Sequence, residues 1–279
     1  MKNIPPIPGE VHQIKSGIRR LTAPNPGLMT GPGTNTYIFG EKKIAILDPG
    51  PDIHEHIERI LELAKGNIFW ILVTHTHPDH SPAVLSLAKA TGAEVLGISP
   101  PHDGHQDMTF SPDRELKEGD LLSTEEFELK VIHTPGHASN HLCYLHNQHQ
   151  WLFTGDHIMD GSTVVINPPD GKMSDYLNSM TKLKERSINA IAPGHGSIIK
   201  NPYEVIEWII KHRLEREKIV LESVKQNPNI NLKNLVTLVY ADVEKYLHPL
   251  AERSLLAHLL KLQEDDLVKL NGDQWELIP

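Results

Sequence analysis

One stretch restricts the fold more than any other feature of this chain. Thr74-His75-Thr76-His77-Pro78-Asp79-His80 packs three imidazoles and a carboxylate directly behind the apolar run Phe69-Trp70-Ile71-Leu72-Val73. An unbroken apolar run of that length reads as a strand covered on both faces. Ser81-Pro82 then resembles an N-cap with proline at the first helical position, and Ala83 to Ala90 reads as a helix stopped near Gly92. The polar segment is therefore a strand-to-helix loop. Alternate residues of extended backbone share a face, which sets His75 beside His77, and a turn through Pro78 brings Asp79 and His80 to a second point nearby. Imidazole and carboxylate are zinc ligands, so the loop reads as part of a metal site.

Three further segments each place a polar ligand type beside glycine at the end of a strand-like run: Thr134-Pro135-Gly136-His137, Phe153-Thr154-Gly155-Asp156 and Pro193-Gly194-His195-Gly196. Paired metals need a bridging group. The arrangement that fits is His75, His77 and His137 for one ion and Asp79, His80 and His195 for the other, with Asp156 between them. A single histidine is more often structural than a ligand, but seven ligand types in four such loops reverse that expectation. His102, His105, His146 and His149 lie in polar, loop-like stretches and read as surface residues. His133, His141 and His157 read as packing or hydrogen-bonding neighbours of the site. Cys143, the single cysteine among 279 residues, reads as a small core residue and gives no hint of an oxidising compartment.

The remaining pattern alternates strands and helices. Strand-like runs occur at Thr36 to Phe39, Lys43 to Leu47, Val95 to Ile98, Phe127 to Ile132, His141 to Leu145, Trp151 to Phe153 and Ala190 to Ala192, and helices at Ile53 to Ala64 and Ser174 to Leu183. From Asn201, with Pro202 behind it as a helix opener, the chain reads helical to about Gln226, with Val205, Ile206, Ile209, Ile210 and Leu214 as its apolar stripe. Helices from Leu232 and from Pro249 to Leu262 follow, then a hairpin of Leu267 to Leu270 and Gln274 to Ile278 around Asn271-Gly272. The expected division is a catalytic domain at 1–200, a linking helix at 201–230 and a winged-helix-like domain at 231–279.

Charge narrows the partners. The chain carries a net −9, which offers no global attraction to a polyanion. Residues 231–279 hold five basic and eight acidic side chains, net −3, which argues against a duplex-DNA module. That segment is expected to wall the active-site cleft or to make a homo-oligomer contact. No apolar run approaches the length of a membrane span, and MKNIPPIPGEVHQIKSGIRR does not read as an export signal, so a cytoplasmic protein without membrane contact is expected.

The ligand order His-x-His-x-Asp-His, then a lone His, a lone Asp and a final His, resembles the metallo-β-lactamase superfamily at all seven positions, over roughly residues 17 to 200. The resemblance implies an α/β (α+β) fold, an αββα sandwich with metals at one sheet edge. More narrowly, Gly33-Thr34-Asn35-Thr36-Tyr37, Gly155-Asp156-His157 with Val164 to Gly171, and the C-terminal appendix resemble the β-lactamase-like protein 2 group. That group and its relatives include an endoribonuclease and thioester hydrolases. Position 156 is Asp and not Cys, which separates the chain from the main antibiotic-hydrolysing subclass, and the inserted domain of the cap-bearing RNA-processing branch is missing.

These likenesses imply a binuclear zinc hydrolase, with iron or manganese also compatible with the ligands. In that scheme a metal-activated water attacks an ester-like bond and Asp79 orients it. Asp48 supports a ligand histidine from behind. Asn35 and Thr36 face substrate by that likeness, or simply turn the chain into a strand. The expected substrate is single-stranded RNA, the alternative is a small-molecule thioester, and a nucleic-acid-binding protein with a vestigial metal site is the rival of another class.

Overall fold

A computed structural model describes residues 4–278. Met1–Asn3 and Pro279, the outermost residues of the expected first and last domains, lie outside the described residues. By contacts the chain forms two compact units, and neither is continuous in sequence.

The first unit holds two sheets. One has seven strands in chain order: β1 (Val11–Lys15), β2 (Ile18–Thr22), β3 (Asn35–Phe39), β4 (Ile44–Leu47), β5 (Ile68–Leu72), β6 (Glu94–Gly97) and β7 (Arg114–Glu115). Strands β1 to β4 pair antiparallel and β4 to β7 parallel. Helices α1 (His54–Ala64) and α2 (Ala83–Thr91) make the crossovers that parallel pairing demands. The other sheet comprises β8 (Leu121–Ser123), β9 (Glu128–His133), β10 (Leu142–His146), β11 (Trp151–Gly155) and β12 (Ala190–Pro193), with only β11 and β12 parallel.

Strand alternation gives the first sheet two buried faces. Tyr37, Phe39, Leu47, Trp70 and Leu72 meet Leu129, Val131, Tyr144 and Phe153 between the sheets, whereas Ile38, Ile46 and Ile71 pack with Ile57, Ile60, Val84 and Leu87 of α1 and α2. This is the expected sandwich core.

Three residues depart from the sequence pattern. Phe69 is 41% exposed, so β5 is not covered at its start. Ser81 does not cap α2; its hydroxyl donates to Asp107 Oδ2 at 2.7 Å, and the N-cap position falls on Pro82. His146 is buried rather than on the surface, because it ends β10 with its ring 6.2 Å from that of Phe39.

The second unit comprises Pro135–Ser139, Thr163–Glu185 and Tyr203–Pro279. It contains α3 (Met173–Lys184), most of α4 (Pro202–Gln226), β13 (Ile230–Asn231), α5 (Leu232–Val239), α6 (His248–Glu264), β14 (Val268–Asn271) and β15 (Gln274–Leu277). The last two strands form the expected hairpin, with β13 on the other side of β15. Val220, Val224, Leu235, Leu255, Leu259 and Trp275 build its core. On α4, Ile206 and Ile209 are buried as the stripe requires, but Leu214 is 48% exposed and Arg213 takes the buried place.

This grouping differs from the linear division at residue 200, and α6 is the reason. Lys172 pairs with Glu264 at 3.0 Å, Ser174 Oγ donates to Glu264 at 3.0 Å, and Ile166 N donates to Ser254 Oγ at 3.3 Å, which gathers the segment around α3 onto the C-terminal helix. Among the described residues, no helix is long and apolar enough to cross a membrane.

Candidate metal centre

Parallel pairing collects the chemistry at one end of the strands. Asp48 follows β4, His75 to His80 follow β5, Asp156 follows β11 and His195 follows β12, all at carboxyl ends. The strand-exit glycines permit close approach. A Cβ on Gly194 would stand 2.8 Å from both Asp156 Oδ1 and His80 Cε1, and one on Gly155, where φ is +44°, would lie 2.3 Å from Thr74 Oγ1.

The ligand atoms of Asp79, His80, Asp156 and His195 all lie within 4.8 Å of one another. His80 Nε2 is 3.3 Å from Asp156 Oδ1 and 3.7 Å from Asp79 Oδ2; His195 Nε2 is 3.3 and 3.2 Å from the same two atoms. The opposite ring nitrogens are anchored, His80 Nδ1 by Asp48 Oδ2 at 3.1 Å and His195 Nδ1 by the Gly33 carbonyl at 3.2 Å. An acceptor on Nδ1 makes that nitrogen the donor and leaves Nε2 facing inward, the usual orientation of a metal-binding histidine. Neither Nε2 has a hydrogen-bond partner among the described residues, although both are buried.

The electrostatics agree. Burial opposes charge on His80, but the carboxylates of Asp79, Asp156 and Asp48 outweigh it and hold the ring well above its ordinary pKa. The same contest raises His195 to about 9, chiefly through Asp156. Burial would raise the two central carboxyls, yet the neighbouring rings hold Asp79 below, and Asp156 well below, the usual range. Without an ion the cluster keeps protons where a cation fits. The cluster is able to bind a metal ion.

His75 and His77 stand side by side, with His75 Nε2 2.9 Å from His77 Nδ1 and ring centroids 4.5 Å apart. His75 is also 4.3 Å from the His80 ring and 5.1 Å from that of His141, whose Nδ1 bonds Thr134 Oγ1 at 2.9 Å. His137 belongs to the second unit, where its Nδ1 meets the Val165 carbonyl at 2.8 Å and Lys172 N donates to Gly136 O at 2.8 Å.

Asp48 also accepts from Thr74 N at 2.7 Å and Thr74 Oγ1 at 2.8 Å, so one carboxylate fixes both the loop's start and the His80 ring. Asn35 is turned inward. It is fully buried, and its amide donates to the carbonyls of Pro193 and Gly196 at 3.0 and 2.9 Å, bracing the loop of His195. Thr36 is buried as well, donating to Asp48 O at 2.8 Å. The Gly33 carbonyl carries no side-chain signal, so nothing in the sequence marks it as an anchor.

The family model of the metallo-beta-lactamase superfamily matches residues 29–195, and that of the beta-lactamase associated winged helix domain matches 232–275. A beta-lactamase-like protein 2 homolog of Drosophila melanogaster is 32% identical, covering 94% of this chain and 92% of its own length. An atrochrysone carboxyl ACP thioesterase of Claviceps purpurea is 26% identical over 97% of this chain and 85% of its own. A metallo-beta-lactamase family protein of Thermus thermophilus shares the fold at a TM-score of 0.79 and 19% identity, covering 95% of this chain and all of that one. With its strand-end His/Asp cluster and its C-terminal winged helix, the chain belongs to the metallo-β-lactamase superfamily of hydrolases.

Proposed function

We propose that this chain is a binuclear thioester hydrolase, loaded with zinc in the first instance. His75, His77 and His137 would hold one ion, and Asp79, His80 and His195, grouped with Asp156, the other. The observation that carries the reading is the pair of inward-facing, unbonded Nε2 atoms of His80 and His195 over two carboxylates. The thioester is supported by the relative named as an acyl-carrier thioesterase and by a net charge of −9, which disfavours the RNA expected from the sequence.

Ions bound there supply Lewis acidity and a water acidified toward neutral pH. The protein's own contribution is positioning. Asp79 is the more open of the two central carboxylates, with 28% of its side chain exposed against 13% for Asp156, so it can accept a hydrogen bond from the attacking water and aim it at the acyl carbon. Asp48 and the Gly33 carbonyl hold the two imidazoles in one tautomer, so they need no reorientation during turnover. Water oxygen bonds to the acyl carbon, the carbon–sulfur bond breaks, and the sulfur leaves as thiol with one proton from the water.

A thiol-release assay over a panel of acyl thioesters tests this with zinc-loaded, chelator-stripped and Asp79→Ala protein. Release should vanish on chelation and fall at least about 100-fold in the variant. Full activity of Asp79→Ala would sink the scheme. Fragmentation of end-labelled single-stranded RNA without thiol release would return the substrate to RNA.

A further inference from the structure

Behind the ligand loop lies a buried polar network that the chemistry above does not use. Thr76 falls between His75 and His77 and, by alternation, turns its side chain the other way. Its Oγ1 donates to Gln106 Oε1 and accepts from Asn140 Nδ2, both at 2.8 Å. Asp107 comes next to Gln106. Its backbone N–H donates to Thr76 O at 2.6 Å, and its Oδ2 accepts from Ser81 Oγ at 2.7 Å. Its Oδ1 accepts from Thr109 N and Oγ1 at 2.9 and 2.6 Å, so both carboxylate oxygens are in use. All five of Thr76, Ser81, Gln106, Asp107 and Asn140 are buried.

Residues 76 and 81 are the flanks of the turn His77-Pro78-Asp79-His80. Within the turn one backbone bond, His80 N to His77 O at 2.9 Å, closes the chain on itself. Asp107 therefore grips both ends of a four-residue segment that contributes His77 to one ligand group and Asp79 and His80 to the other. Whatever fixes the span of this turn fixes how far apart the two groups stand. We propose that Asp107 is a positioning residue that sets the separation of the two ions, a role that rests on the two-ion reading above. It touches neither ion nor substrate; it acts through the turn. Buried hydrogen bonds of this kind commonly change metal affinity about 10- to 100-fold when removed.

The test measures stepwise metal binding by competition with a chromophoric chelator, together with the magnetic coupling of two cobalt(II) ions by electron paramagnetic resonance. It uses full-length wild type, Asp107→Ala, Asp107→Asn and Ser81→Ala. Asp107→Ala should weaken the second ion about 10- to 100-fold and alter the coupling. Asp107→Asn should recover both properties, because its amide nitrogen can meet Ser81 Oγ while its carbonyl accepts from Thr109. Ser81→Ala removes one hydroxyl without touching the backbone bond to Thr76, and should shift both readouts in the same direction by less; it decides the matter if Asp107→Ala fails to fold. Wild-type affinity and coupling in both the folded alanine variants would overturn the proposal, as would loss of thermal stability with no change in either metal readout. Wild-type protein that takes up fewer than two ions would instead overturn the two-ion reading itself.

Discussion

Four buried histidines of the first unit form two contrasting pairs. His80 and His195 lie within 3.1–3.7 Å of carboxylate oxygens, and their pKa values rise, His195 to about 9. His56 and His146 are as enclosed, yet burial without a carboxylate drives both down to about 4. His56 meets Thr36 Oγ1 at 2.9 Å and the Pro49 backbone, and His146 stacks on His149 at a centroid distance of 4.7 Å. The same ring in the same degree of enclosure is thus a neutral core residue or a cation holder according to its acidic neighbours. Eighteen histidines by themselves do not separate these two behaviours; the neighbouring aspartates do.

The largest test of this contrast is the acid limb of stability. His56 stays neutral in the fold down to about pH 4, whereas its unfolded counterpart protonates near 6.5. Between those values the unfolded chain binds the extra proton, so stability is complete above 6.5 and falls as pH drops toward 4, by up to roughly 3 kcal/mol from this ring. In metal-free protein His195 works in the opposite sense, its contribution present below 6.5 and lost as pH rises through about 9. Urea unfolding of wild type and His56→Asn across the acid range should show a shallower slope in the variant. Equal slopes would break the comparison.

A smaller effect sharpens it from the acidic side. Asp48→Asn keeps the shape beside His80 but removes the charge, and metal affinity in a chelator competition should drop about 10- to 100-fold. Unchanged affinity would reduce Asp48 to a support for the Thr74 backbone. The smallest change concerns the ring with a neutral anchor. Asn35→Ala strips two carbonyls beside His195 of their donor and should cost about 1–2 kcal/mol, read as a lower urea midpoint at constant slope. A wild-type midpoint would show that the loop holds its place without the amide.

The loops that carry the His/Asp clusters are legible in the sequence because apolar runs stop there at polar residues beside glycine. The final hairpin is legible for a local reason, since Gly272 adopts φ of +64° in its Asn-Gly turn. Strands β1 and β2 are not: they carry His12, Arg19 and Arg20, and only sheet pairing shows that Arg20 is wholly buried. The roles of Asn35 and Asp107 are hidden because their partners are remote. Asn35 reaches residues 158 and 161 positions away, and Asp107 reaches 26 positions back to Ser81. No periodicity records such bonds. The exposure of Leu214 has a similar origin, because a helical stripe predicts a face and not which of its edges another segment covers.

The discontinuity of the second unit has a practical consequence for anyone shortening this chain. A truncation at Pro202 would look like the clean excision of an accessory module, and would keep six of the seven proposed ligands in their own unit. It would also leave Pro135–Ser139 and Thr163–Glu185 without the helix on which Lys172, Ser174 and Ile166 find their partners. His137 rides on that segment. The C-terminal helices thus share a unit with the segment that carries His137, a proposed ligand, and a truncation used to test the proposed function should retain them.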